Sequence, residues 1–193
     1  TMMVQSSLNI LGSYAVAAFT AGSKIESIFT QAFVAIGTAM STYNAQNIGA
    51  RKLDRVRKGF RSADVIGCTY GVLVGFILFF VGKYFAYLFI SDNAEVVIPM
   101  VETYLQCVGM FMIPLYVVNS YRNGFQGMGY GLLPMLSGVA ELVGRGIMAI
   151  VASNKKSYTM ACMASPFAWI VATVLLIGLY FYVMKDMKKK LCL

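Results

Sequence analysis

The 193-residue chain contains no histidine, one tryptophan and four prolines, and only 12% of its residues are charged. Each scarcity excludes something. Without histidine there is no Ser-His-Asp triad and no imidazole metal site. The four cysteines, Cys68, Cys107, Cys162 and Cys192, form no CxxC pair, so neither a zinc site nor a disulfide framework is indicated. There is no GxSxG, and the glycine-rich stretch 124–131 lacks the GK[ST] ending of a phosphate loop. It reads as a turn. A charged fraction about half the ~25% of a soluble domain, with 59% hydrophobic residues and a mean hydropathy of +0.69, excludes a disordered chain and a nucleic-acid-binding domain. The composition is that of an integral membrane protein.

What is present in abundance is uncharged sequence. Runs without Asp, Glu, Lys or Arg cover Thr1–Ser23, Ser27–Ala50, Val65–Gly82, Thr103–Tyr121, Asn123–Ala140 and Met160–Met184. A bilayer-spanning helix needs ~20 mostly apolar residues, because ~30 Å of hydrocarbon is crossed at ~1.5 Å per residue. Glycine, proline and charge clusters cut these runs into helices at about 1–11, 14–47, 52–90, 93–126, 132–152 and 158–184. The expected fold is an all-α membrane protein, a polytopic six-helix lobe spanning 1–193 with a truncated first helix. The chain opens on Thr1 inside an apolar run with no basic flank, which reads as a cut through a transmembrane helix of a longer protein. Asp92-Asn93-Ala94-Glu95 resembles a capping box opening the fourth helix.

The basic residues are unevenly placed. Arg51, Lys52, Arg55, Arg57, Lys58 and Arg61 occupy one loop, and Lys185, Lys188, Lys189 and Lys190 the tail; Arg122 is expected just past the fourth helix. Alternating helices put all of these on one side, facing only Lys83, Lys155 and Lys156 on the other. Cytoplasmic loops are the basic ones, so the C-terminus is expected in the cytoplasm and the protein in the cell (inner) membrane. Leu53, Val56, Phe60 and Ala63 recur at three- and four-residue spacing, the pattern of a helix lying along the bilayer interface, apolar side down.

Inside spans, polar residues are the informative ones, since lipid penalises them unless they face the bundle or water. The second helix carries Thr20, Lys24, Ser27, Gln31, Thr38 and Thr42 on one face; the fourth carries Tyr116, Asn119, Asn123 and Gln126; the first carries Gln5 and Asn9. Such stripes mark either a polar substrate pathway or interhelical hydrogen bonds. Helix six is nearly devoid of polarity, with Trp169 and Thr173 isolated, and is expected to face lipid. Lys24, Glu26 and Glu102 fall near the outer edge. Glu141 and Arg145 alone are deep, at the favourable i,i+4 spacing, as a structural ion pair or a proton- or substrate-responsive one. Pro114 should kink the fourth helix, and Pro166 marks a similar point near the start of the sixth; Pro99 and Pro134 fall near helix starts, where proline is benign. Gly67, Gly71 and Gly75 form a GxxxG ridge suited to close helix approach.

Two strings carry a family resemblance. Gly37-Thr-Ala-Met-Ser-Thr-Tyr-Asn-Ala-Gln-Asn-Ile-Gly-Ala50, followed by Arg51, Lys52 and Arg55, resembles the "T…QNxGA…R" segment of the multidrug and toxic compound extrusion (MATE) transporters. Asn123-Gly-Phe-Gln-Gly-Met-Gly-Tyr130, then Leu133-Pro134-Met135 and Ser137 through Glu141 to Arg145, resembles that family's "G.lqGlG…pM.sg..E…R" stretch. The resemblance implies the second of two six-helix lobes, with the N-terminal lobe outside this chain. It implies a secondary antiporter exporting small organic cations and drugs by alternating access, with sodium ions or protons as coupling ion and no other cofactor. Carried over by position, Gln46, Asn47, Gly49 and Ala50 form the cytoplasmic loop motif, and Glu141 and Arg145 the fifth-helix pair. The chain departs from some sodium-coupled relatives in having no acid between Met110 and Gly127. A lipid-linked oligosaccharide flippase of the same superfold would line its cavity with several cations, whereas these stripes are mostly uncharged. A non-transporting assembly subunit would need no aligned polar stripes at all. Implied partners are the bilayer, the other lobe and the exported cation; no nucleic acid, enzyme chemistry or metal is expected.

Overall fold

The computed structural model describes residues 2–88, 90 and 94–191, and its described elements are helices joined by short turns. They are α1 (Met2–Leu11), α2 (Ser13–Gly49), α3 (Leu53–Phe80), α4 (Gly82–Ala86), α5 (Ala94–Gly109), α6 (Met112–Gly127), α7 (Leu132–Lys155), α8 (Tyr158–Cys162) and α9 (Ala164–Lys190). The Asp92-Asn93 cap and Cys192 lie outside the described residues. Three stretches, α3, α7 and the α8–α9 run Tyr158–Lys190, are long and apolar enough to cross a bilayer. The bent pair α5–α6 makes a fourth. The expectation is five spans behind a truncated first helix; α1 has ten residues, as expected too short to span, while α2, though 37 residues long, is not among the stretches apolar enough to cross.

α2 is the central helix, packed on α3, α5 and α6. Its buried face is built from Ala15, Ala18, Ala21, Gly22, Ile25, Phe33, Gly37, Met40, Asn44 and Asn47. Small residues dominate because lipid supplies no hydrophobic drive between helices, so close van der Waals approach must hold them together. Gly37 lies against the Asn119 carbonyl and the Asn123 amide, Gly127 against the Ser41 backbone, and Gly124 against Phe60. Asn44 adds a bond across this seam, its Nδ2 donating to the Gly124 carbonyl at 3.1 Å. Gly124 and Gly127 therefore belong to α6, and the turn expected over 124–131 shrinks to 128–131. The ridge on α3 works the same way: Gly67 receives the Tyr116 ring and Gly75 the Gly109 carbonyl.

Several boundaries differ from the sequence expectation. Leu53, Val56, Phe60 and Ala63 do not lie on a membrane surface. They are 3%, 0%, 1% and 7% exposed and open the continuous helix α3, whose first turns pack into the core. An amphipathic stripe reports only that one side is apolar, and here Phe125, Tyr121 and Tyr180 pack on its Phe60 ring. The segment expected as one helix over 52–90 breaks at Val81, where α4 begins. The segment over 93–126 is two helices bent by 54° at Met110–Phe111. Pro114 explains the place, since a proline ring collides with the carbonyl four residues earlier, here that of Met110. Pro99 sits inside α5 rather than at its start, Pro134 is the third residue of α7, and Pro166 follows a break at Met163. α7 runs three residues past 152 and α9 six past 184. Helix α9 is not merely lipid-facing: Ala168, Trp169, Ala172, Leu176 and Val183 are buried against the bundle, and Thr173 donates to the Pro114 carbonyl at 3.1 Å. Lipid is left to Val174, Ile177, Phe181 and Tyr182 on its exposed side.

Gln46, Asn47 and Gly49 belong to the last turns of α2, so only Ala50 of the loop motif lies in the turn itself. The reversal into α3 takes three residues. The Arg51 N–H donates to Ile48 O at 2.9 Å and the Lys52 N–H to Asn47 O at 2.8 Å, with Arg51 left-handed at φ 57°. This is the Schellman pattern, normally built on glycine. It recurs at Gly129 (φ 87°) after α6 and at Lys156 (φ 47°) after α7. The 128–131 turn is clasped to the end of α9. The Tyr130 hydroxyl donates to Asp186, Lys190 pairs with the same carboxylate at 2.7 Å, and its ammonium lies 4.8 Å from the Tyr130 ring centre. Burial, and donation to Asp186, push the Tyr130 hydroxyl up to about 12. Together with the Phe60–Tyr180 ring contact, these contacts bring the 51–61 basic cluster and the tail lysines to one end of the bundle. A separate small cluster of Leu8, Ala15, Ala149, Ala152, Ala161 and Ala164 closes the other end.

Candidate functional site

A cavity of about 310 Å³ opens between α1, α2, α5, α7 and α9. Its wall includes Gln5, Glu26, Ser27, Tyr104, Arg145 and Trp169, with Ser23, Thr30 and Ser165 adding hydroxyls. This volume falls at the lower end of the ~300–1,000 Å³ typical of small-molecule sites. Another cavity differs in kind. It is an apolar groove of about 350 Å³ between α3 and the α5–α6 bend, lined by Gly71, Gly75, Phe76, Phe80, Gly109 and Met110.

Two charged side chains give the polar cavity its chemistry, and each is positioned from behind. Glu26 is half-buried and accepts a hydrogen bond from the Tyr104 hydroxyl. Tyr104 can reach it because Gly22, one helical turn before Glu26, leaves no Cβ where the ring lies. Phe19 holds the other side of that ring edge-on, 4.8 Å between centres. Arg145 donates from Nη2 to Glu141 Oε2 at 3.0 Å. Glu141 is 8% exposed and also accepts from Nη2 of Arg122, whose Nε donates to Ser137 Oγ at 2.9 Å. Ser137 in turn donates to the Pro134 carbonyl at 2.7 Å. One carboxylate thus serves two guanidinium groups, and the cluster keeps one positive charge in excess.

The i,i+4 spacing of Glu141 and Arg145 does make an ion pair, but a third member was missed. Arg122, expected just past the fourth helix, lies inside α6 and faces Glu141. The other sequence candidates divide. Gln5 and Arg145 line the cavity, and Ser27 of the α2 stripe lines it too. Asn9 is exposed on α1, 3.4 Å from Gln5 Nε2. Gln31 and Thr38 are exposed on the outer face of α2, with Thr20, Lys24 and Thr42, so apart from Ser27 this stripe lies outside the bundle rather than in its interior. Its hydroxyls are satisfied within the helix, as Thr38 is by the Val34 carbonyl at 3.0 Å. Tyr116 is fully buried, its ring on Gly67 and its hydroxyl shared between Asp64 at 3.1 Å and Ser120 at 3.2 Å. Asn119 and Asn123 bond their own helix and pack on Gly37. Of the α6 stripe, Tyr116, Asn119 and Asn123 thus make contacts within and between helices, while Gln126 is exposed.

Sequence reasoning also passed over Glu26, Tyr104, Trp169 and Asp64. Glu26 was placed by depth alone. The signal available was Gly22 one turn away on the same face, which marks the close approach that seats Tyr104. Asp64, which accepts from Tyr116 and from Tyr121 at 3.0 Å, carried no local signal, because both partners come from α6.

Long apolar helices bundled around a small polar cavity define a multi-pass α-helical membrane protein. Comparison with known families narrows this: the MatE family matches residues 1–151, and the chain belongs to that family. The chain is also similar to a probable multidrug resistance protein, YpnP, of Bacillus subtilis (strain 168), at 30% identity over 135 residues. The match covers 70% of this chain and 30% of that relative, so the chain spans less than a third of its length.

Proposed function

We propose that this chain forms the C-terminal lobe of a secondary active antiporter that exports drugs and small organic cations across the cell membrane, driven by a sodium or proton gradient. Family membership and the name of the relative support transport of multidrug type. The observation that carries the reading is the cavity holding Glu26 and Arg145, beside which the exposed Gln31–Thr38 face of α2 runs uncovered. An uncharged polar face left outside its own bundle is costly in lipid, and the second lobe of a two-lobe transporter would cover it. The basic end of the bundle is the cytoplasmic one in this reading, with the C-terminus inside.

The test uses the full-length gene. Cells with and without it are loaded with ethidium, and dye retention is followed under imposed sodium or proton gradients. Gene-dependent loss of dye under one gradient is expected, and it identifies the coupling ion. Equal retention under both gradients, with the protein present in the membrane, would overturn the reading.

A further inference from the structure

The net charge of the chain sits at one end. The ten basic residues of segments 51–61 and 185–190 are set against two acidic ones, Asp54 and Asp186, and the six basic residues elsewhere are balanced by six acidic ones, so this end carries the whole +8. Among the described residues, Arg57 pairs with Asp54 at 3.9 Å and Lys190 with Asp186 at 2.7 Å, while Lys58 and Arg61 of α3 are exposed and form no ion pair. Lys58, Arg61, Val65, Val72 and Phe76 follow one another at intervals of three, four and seven residues, which places them along one side of α3. All five are exposed. That side runs into the apolar groove, where Val72 and Phe76 are joined by Met110 and Ile113 of the α5–α6 bend. Gly71 keeps the groove open: a Cβ there would meet only ordinary contacts, 3.6 Å from Phe33 and Ile113.

Depth links the cations to the groove. Asp64 is the last charged residue of α3, so Val65 marks the edge of the hydrocarbon. Gly75 follows it by ten residues, a rise of ~15 Å, half of a ~30 Å hydrocarbon core. Arg61 and Lys58 lie one and two turns before Val65, at headgroup level. A phospholipid of that leaflet therefore has its phosphate level with these cations and its chain ends level with the groove. We propose that this side of α3 seats one anionic phospholipid, its phosphate held by Lys58 and Arg61 and an acyl chain lying along Val65 and Val72 into the groove. Charge selects the headgroup, because a zwitterionic lipid brings an ammonium that the cations repel. The groove selects the chain, because its lining is apolar throughout and offers no side-chain hydrogen bond to a polar partner. The seat stands apart from the polar cavity and does not depend on the export reading.

The experiment uses the purified full-length protein in detergent. Native mass spectrometry reads the affinity of the tightest-bound lipid, with dioleoyl phosphatidylglycerol and dioleoyl phosphatidylcholine added separately. Wild type should prefer phosphatidylglycerol by about ten-fold. Lys58→Gln with Arg61→Gln should remove most of that preference. Lys188→Gln with Lys189→Gln deletes the same charge from the tail and should keep it. Equal losses in the two double variants would reduce the effect to the general field of the basic end and sink the seat. Val72→Trp fills the groove and should weaken phosphatidylglycerol binding while the headgroup preference persists. Gly71→Ala should act in the same direction, less strongly, and serves if Val72→Trp fails to fold; Arg61→Gln alone serves likewise for the first double variant. Unchanged binding in the groove variants would show that no chain lies there, the outcome expected if the other lobe covers the groove. Displacement of the lipid by soluble glycerol 3-phosphate would make this a site for free phosphate esters and would likewise overturn the proposal.

Discussion

Arg51 and Lys156 occupy left-handed backbone, φ 57° and 47°, at helix ends where the Schellman pattern favours glycine. A side chain there costs roughly 1–2 kcal/mol, most of which glycine removes, less its own loss of chain entropy. Arg51→Gly should therefore stabilise the folded protein by roughly 0.5–1 kcal/mol, read as a higher unfolding midpoint in detergent. An unchanged or lower midpoint would mean that the Arg51 side chain contributes more than its backbone strain costs. Gly22 makes the opposite case. A Cβ there meets the Tyr104 ring, so Gly22→Ala must displace the ring from Glu26 or push α2 from α5. Overpacking of this kind typically costs ~1–3 kcal/mol. The expected outcome is a lower unfolding midpoint together with weakened dye binding. Normal binding in Gly22→Ala would show that Tyr104 need not hold Glu26.

The bend between α5 and α6 is the element whose cause is most local. Pro114 has no N–H to donate and its ring displaces the carbonyl of Met110, and the helix breaks at Met110–Phe111. The break is then fitted by α3, where Gly75 admits the Gly109 carbonyl, and by α9, where Thr173 bonds the Pro114 carbonyl. Pro114→Ala should partly restore the ladder, reduce the 54° bend and slow export. Spin labels at the two ends of the bent pair would report it as a longer distance. An unchanged distance would assign the bend to the packing at Gly75 and Gly109 instead.

At the scale of the whole molecule, the Arg122–Glu141–Arg145 cluster ties α6 to α7 and backs the cavity wall. Removing the carboxylate leaves two guanidinium groups facing each other in a largely buried place, and breaking a buried pair typically costs ~3–5 kcal/mol. Glu141→Gln should lower both the amount of folded protein in the membrane and dye export. Full expression with full export would reduce the cluster to a tolerated one. The basic residues make a further global pattern: the 51–61 cluster and the tail lysines are brought to one end by the Phe60–Tyr180 and Tyr130–Asp186 contacts, in agreement with the parity expected from the helix order.

The all-α membrane class, most helix positions, the glycine ridge and the Glu141–Arg145 pair were legible in the sequence because each depends on residues close together along it. Hydropathy over ~20 residues, spacing on one helix face and the i,i+4 rule are local quantities. What the sequence did not determine were facts about neighbours. Whether Phe60 of the α3 stripe met lipid or protein depended on Tyr121, Phe125 and Tyr180, all distant in the chain. Whether Arg122 was a loop charge or the second partner of Glu141 depended on how α6 lies on α7. Whether Glu26 stood at an edge or in a cavity wall depended on α5 and α7 closing around it. Polar groups are assigned their energies by what surrounds them, and only the packed helices decide the surroundings.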